Sequence, residues 1–307
     1  MLEGIQVLDL VDERASFCSR LLAELGACVR SIVLDLEVPE GRGTFFKGVE
    51  QSDIVIESFP PGDLQKLGLG FEVLSEINPG LILASLTSFG QSGPRRHYKS
   101  CDLVASAYGG QMYVTGSPSM PPLKAYGDQS YNTSSLFAAI GIVLALRKRR
   151  QSGRGDHIDI SLQGAVTATL DHVMVRYFSE GIVARRQGNR SWNGTSFIVS
   201  CRDGHLYLTL SPWETLVEWM DTEGMAGDLA KEKWKEESYR LQHIDHIAEV
   251  IEKWTRTHSA RELFELGQRM QFPWAPVCSP CQVLESPQLR ARDFFPRWQT
   301  PKERECF

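Results

Sequence analysis

A chain of 307 residues, 42% hydrophobic and 23% charged, is long enough for two domains with an ample core. A formal net charge of −5 excludes the basic footprint of a nucleic-acid binder and a polybasic membrane surface. The longest apolar run, 136–146, is too short to span a bilayer. Residues 1–16 mix acidic with apolar side chains, unlike a signal peptide, and seven scattered cysteines read as reduced thiols. The expectation is a cytoplasmic protein with neither nucleic acid nor membrane as partner.

Residues 5–10 have a strand pattern, and 16–25 read as a helix stopped at Gly26. Residues 28–36 are β-rich, and Pro39 opens a helix near its first position. Residues 53–59 form a buried-type strand ending at Pro60-Pro61-Gly62; 64–76 carry helical spacing up to Asn78-Pro79-Gly80. Residues 81–86 are a further strand, followed by a loop over 87–97. Strands alternating with helices predict a parallel sheet covered on both faces, with ligands beyond the strands' carboxyl ends, here loops 57–62 and 87–97.

The stretch 122–165 combines a polar turn carrying Asp128, an apolar helix with a basic end, a C-cap at Gly153-Arg154-Gly155 and a short strand. Another long helical pattern runs over 161–178. From 196 a β-hairpin turns at Asp203-Gly204, 213–258 is helical and heavily charged, and 259–270 is a further helix. The predicted organisation is an α/β large domain at 1–194, a smaller α+β domain at 195–275, and a segment at 276–307 returning to the large domain.

Asp128 reads locally in two ways. Aspartate before a helix is a common N-cap, and a carboxylate can also attack a thioester carbonyl to form an anhydride. The second role needs water excluded and donors for the oxyanion; glycines at 109, 110 and 127 permit close backbone approach but also mark plain turns. Cys278-Ser279-Pro280-Cys281 has metal-pair spacing without a second pair or nearby histidines, and His243 and His246 read as a solvated helix face, so no metal site is expected. Basic clusters at 95–96, 147–150 and 185–186 read as solvated surface with room for an anionic ligand.

Several long segments in fixed order resemble the class III CoA-transferases, the superfamily of formyl-CoA transferase, carnitine CoA-transferase and methylacyl-CoA racemase. They are GIQVLDL at 4–10, SDIVIESFPPGDLQKLGLG at 52–70, DLVASAYGGQMYVTG at 102–116, AAIGIVLAL at 138–146, SGRGDHIDISLQGA at 152–165 and PVCSPCQVLESPQLRARDFF at 276–295. The resemblance implies a Rossmann-like large domain, an interlocked dimer and CoA bound as substrate between that domain and the partner, with no tightly bound cofactor. It implies transfer of CoA from an acyl-CoA thioester to a carboxylic acid. Ser58 and Phe59 match the family's CoA-contacting strand end, and Lys66 and Lys99 its basic CoA contacts. Asp128 becomes the candidate nucleophile, with oxyanion donors near Gly109, Gly110 or Gly194.

The departures are specific. An ungapped alignment puts Tyr131 at the family aspartate, with Asp128 three residues earlier, nearly one helical turn. Asp12-Glu13-Arg14-Ala15-Ser16 replaces a small-residue loop facing the active site, and Cys101 or its neighbour falls at the racemase histidine. A family segment between the strands expected at 28–32 and 33–36, which includes adenine contacts, is absent. The chain is therefore expected to be a homodimeric transferase or the aspartate-poor subunit of a heteromer acting on aryl-substituted succinates. A non-catalytic CoA-binding or structural partner is the alternative, and a racemase or isomerase stands behind both.

Overall fold

The computed structural model describes residues 1–29 and 32–295. The chain forms two compact units, one over residues 1–188 and one from 189 onward.

The first unit is built on five strands, β1 (Gln6–Leu10), β2 (Cys28–Val29), β3 (Ile54–Glu57), β4 (Ile82–Thr87) and β5 (Asp156–Ser161). All pairs are parallel, in the order β2-β1-β3-β4-β5. Its helices in chain order are α1 (Ser16–Glu24), α2 (Pro39–Glu50), α3 (Asp63–Lys66), α4 (Phe71–Ile77), α5 (Asp102–Tyr108), α6 (Gln111–Val114), α7 (Gln129–Ser152), α8 (Leu162–Ala168) and α9 (Asp171–Glu180). β3 and β4 are buried along their whole length, as continuous β-branched and aliphatic strands covered on both faces must be. One face packs Ile54, Ile56, Ile82 and Leu86 against Leu22 of α1 and Ala138 and Ile142 of α7. The other packs Val55, Leu81 and Leu83 against Phe45 and Val49 of α2, Leu64 of α3 and Leu74 of α4.

The helix after β3 is broken rather than continuous over 64–76: α3 ends at Lys66, Gly68 takes φ +72°, and α4 begins after Gly70. The pattern over 161–178 likewise divides into α8 and α9. Among the described residues of the β-rich stretch at 28–36 the strand is β2, whose Cys28 and Val29 pair with Gln6 and Val7. Residues 30–31 lie outside the described residues, 32–35 are irregular, and Val33 stands fully exposed with no sheet neighbour to hold it extended. The long helix α7 closes as the sequence implies, with Gly153 in the left-handed region donating to the Arg149 carbonyl at 2.8 Å. Arg149 then ties the helix to the sheet, pairing Nη2 with Asp53 Oδ1 at 2.7 Å and donating Nη1 to the Gly80 carbonyl at 3.0 Å. One member of the basic cluster is thus a structural strut.

In the second unit, β6 (Ser196–Ser200) and β7 (His205–Thr209) form the antiparallel hairpin, and β8 (Ala275–Pro276) pairs with β7. Helices α10 (Trp213–Thr222), α11 (Glu237–Gln242), α12 (Ile244–Thr255) and α13 (Ala260–Arg269) enclose a core containing Leu206, Leu208, Leu216, Ile251, Trp254 and Trp274. Ser259 and Glu262 form a capping box at the start of α13. α14 (Pro280–Leu284) and α15 (Pro287–Ala291) follow β8.

Candidate active site

Toward their carboxyl ends the central strands change character on the α3–α4 face: Val55 gives way to Glu57, Leu83 to Ser85, and His157 to Asp159. In register, Glu57 lies beside Ser85 and Ser85 beside Asp159. Glu57 and Ser85 are buried and Asp159 is exposed; such polar side chains where a parallel sheet opens toward its loops are the expected setting of a ligand site.

The loop after β1 is drawn onto the end of β3. Asp12 N–H donates to Ser58 Oγ at 3.0 Å, and the Ser58 hydroxyl donates to Asp12 Oδ1 at 3.1 Å. Arg14 donates Nε to Asp12 Oδ1 at 2.9 Å and Nη2 to the Ser58 carbonyl at 2.9 Å. Burial disfavours the Asp12 charge, but the bonds from Arg14 and Ser58 outweigh it and hold the carboxyl below its ordinary value. Ser58 is buried, and Phe59 donates its N–H to Glu57 Oε2 at 2.7 Å. Burial pushes Glu57 up to about 6.

The N-terminus of α7 meets that of α5. Asp102, 4% exposed, accepts from Ser130 N–H at 2.8 Å and also from the Ser130 hydroxyl. Its Oδ2 pairs with Lys124 Nζ at 2.7 Å. Burial works against the Asp102 charge, and Lys124 and Ser130 more than compensate, so its carboxyl lies below the ordinary value. Lys124 also donates to the Gly127 carbonyl, fastening the turn that carries Asp128. Asp128 occupies the N-cap position of α7, exposed, and its side chain makes no capping bond. Tyr131, one turn inward, is half-buried, and its phenol oxygen accepts from Asp102 N–H at 3.1 Å. Burial raises the phenol's pKa, while the Arg14 charge acts on it in the opposite sense.

The remaining sequence-predicted positions separate. Gly109 N–H donates to Ala105 at 2.8 Å and Gly110 N–H to Ala107 at 3.2 Å, so both donors serve the end of α5. A Cβ at Gly109 would sit 2.6 Å from Val166 Cγ1, which explains a glycine there through packing on α8. Gly194, in the second unit, takes φ +72° and donates to the Ser191 carbonyl at 3.0 Å. Lys66 is exposed and paired with Asp63 at 2.7 Å, and Lys99 is exposed. Of the other basic clusters, Arg95 stacks over the Tyr108 ring at 4.8 Å and Arg186 donates to the Ser117 carbonyl at 3.2 Å.

Sequence reasoning did not single out Glu57, Asp102 or Lys124. A charged residue inside the otherwise apolar run 54–57 was the available signal for Glu57. Asp102 and Lys124 meet only through the fold. The structure brings Ser58, Phe59 and the Asp12–Arg14 loop together around the β3 end, and sets Tyr131 beside the buried Asp102.

A family model for CoA-transferase family III matches residues 30–307. The chain is 32% identical over 281 residues to the BbsE subunit of succinyl-CoA:(R)-benzylsuccinate CoA-transferase from Thauera aromatica, covering 88% of this chain and 67% of that one. It is 28% identical to succinyl-CoA:mesaconate CoA-transferase from Haloarcula hispanica, over 96% of this chain and 84% of the relative. The crystal structure of a CAIB/BAIF family protein from Brucella suis superposes with a TM-score of 0.86 at 26% identity, over 95% of this chain and 87% of that one.

Proposed function

Since this chain belongs to CoA-transferase family III, we propose that it works as the subunit of a heteromeric transferase that lacks the nucleophilic carboxylate. A homologous subunit would supply that group. The donor would be succinyl-CoA and the acceptor a dicarboxylic acid such as an aryl-substituted succinate, by similarity to the Thauera subunit.

The observation that carries this reading is the setting of Tyr131. At the position aligned with the family's aspartate stands a phenol whose oxygen is engaged by Asp102 N–H at 3.1 Å. Burial raises its pKa, so at neutral pH it remains protonated and a poor nucleophile toward a thioester. Asp128 stands three residues before that position, at the N-cap of α7. Loops 57–62 and 87–97 would hold CoA, with Ser58 and Phe59 at the β3 end and Lys66 and Lys99 offering charges to its phosphates. The apolar exposed side of α7 supports assembly with a second subunit. The return of the segment from 276 toward a large domain would belong to that assembly, its part 296–307 lying outside the described residues. No helix among the described residues is long and apolar enough to cross a membrane, in keeping with a cytoplasmic enzyme.

CoA exchange between succinyl-CoA and succinate tests the assignment. The expected result is no exchange by the chain alone, exchange on adding a homologous aspartate-bearing subunit, and rates unchanged to within about twofold in Asp128→Asn and Asp128→Ala. Exchange by the chain alone that both variants abolish would instead make Asp128 the nucleophile.

A further inference from the structure

We propose that Glu57 is a positioning residue, a clamp whose carboxylate joins the two strand-end loops that frame CoA. The inference rests on the CoA reading above for its consequence, though not for its geometry.

Glu57 is 2% exposed at the last position of β3. Its Oε2 accepts from Phe59 N–H at 2.7 Å, which folds the loop after β3 back over the strand end. Its Oε1 accepts from Gln91 Nε2 at 3.1 Å, reaching across to the loop after β4. That second loop is fixed at its base: Gln91 N–H donates to the Asp159 carboxylate at 2.9 Å and Gly90 N–H to Thr87 Oγ1 at 2.9 Å. One side chain therefore joins two loops that the sheet alone leaves independent.

The chemistry of the group suits the task. An ionised carboxylate is acceptor-only, with an oxygen free for each loop, and its bonds are charge-assisted. A neutral amide offers a single acceptor oxygen. Ser85 lies beside Glu57 in register and favours its charged form, and the Ser85 hydroxyl lies 2.9 Å from His157 Nε2. The ionisable neighbours oppose one another: Asp159 disfavours the charge, Arg14 favours it, and burial holds His157 toward its neutral form. Glu72 lies beyond His157, where it favours the imidazolium. No cation pairs with Glu57 directly among the described residues. A residue serving only to fill this apolar face would be aliphatic, as Val55 and Leu83 are.

The test is amide hydrogen exchange of residues 58–62 and 89–93 in the full-length chain at about pH 7.5, with binding of CoA measured alongside. In Glu57→Gln, which leaves one acceptor oxygen for two loops, both segments are expected to lose roughly tenfold protection, with a parallel weakening of CoA. Gln91→Ala, at a partly exposed position, should lower the protection of 89–93 while leaving Phe59 N–H protected. Equal protection in wild type and Glu57→Gln would overturn the proposal. If Glu57→Gln does not fold, unaltered protection of 89–93 in Gln91→Ala overturns it in its place. Loops that respond as expected, with no CoA binding, would uphold the clamp and reject the CoA reading.

Discussion

At the scale of single residues, Glu57 carries an energetic signature separate from its effect on the loops. Its ordinary value of 4.5 rises to about 6 in the folded chain, with burial the largest cause. The folded state therefore holds the proton more tightly than the unfolded state. The charged form destabilises the fold fully above about pH 6, partly between 4.5 and about 6, and not below. The gap corresponds to about 2 kcal/mol. Glu57→Gln is thus expected to raise the unfolding free energy in urea by up to about 2 kcal/mol at neutral pH and to leave it unchanged near about pH 4. A loss of stability at neutral pH would mean that the bonds from Phe59 and Gln91 outweigh the burial cost. A stabilising variant with looser loops would be the familiar opposition of stability and site geometry. Asp12 and Asp102 run the other way: both are held below their ordinary values, so their contributions are kept at neutral pH and lost in acid.

Among the elements, the turn from α7 into β5 shows how two glycines of one short motif do different work. Gly153 ends the helix in the left-handed region, and a Cβ there would meet nothing within 4 Å. Gly155 has no room: a Cβ would lie 1.7 Å from the Leu81 carbonyl oxygen, where its own N–H donates to Pro79 at 2.8 Å. Gly153→Ala should cost about 1 kcal/mol, the backbone penalty alone. Gly155→Ala must part the starts of β4 and β5 and should cost more than about 4 kcal/mol, with urea unfolding as the measure. The sequence displayed the C-cap because glycine after a basic helix end is a local signal, whereas the Gly155 contact joins residues far apart in the chain. The same division runs through the fold. β3, β4, the 203–204 turn and the helix over 259–270 were legible because a few adjacent residues dictate them. The break of the helix at Gly68 was missed because 64–76 keeps its apolar spacing on both sides of it. Asp128 and Tyr131 were both visible, but which of them faces the buried Asp102 depends on how α7 meets α5, a pairing no local pattern encodes.

For the molecule as a whole, α7 poses the largest unresolved demand. Ser134, Ala138, Ile142 and Ala145 are buried in the first unit, while Leu136, Phe137, Ile140 and Leu144 remain exposed on other sides of the same helix. Val175 and Phe178 of α9 are exposed as well, Phe178 by 81%. A helix apolar all round belongs in an interior, and an exposed apolar surface of this kind marks an interaction site. Assembly with a second transferase subunit would cover it, and Ile140 and Leu144, exposed by 57% and 61%, would be among the first residues buried. Each such side chain is worth roughly 1.5–3 kcal/mol on burial, so Ile140→Asp combined with Leu144→Lys should weaken association by at least about a hundredfold. In light scattering at micromolar concentration the double variant should run near the 34.5 kDa of one chain, where the wild type, alone or with a homologous subunit, runs larger. Urea unfolding of the variant's own fold should change little, since both positions are exposed within the single chain. An unchanged assembly mass in the double variant would rule out this side of α7 as the interface. A monomeric variant that still exchanges CoA at the assembly's rate would show that one chain holds a complete site, contrary to the role proposed for Tyr131.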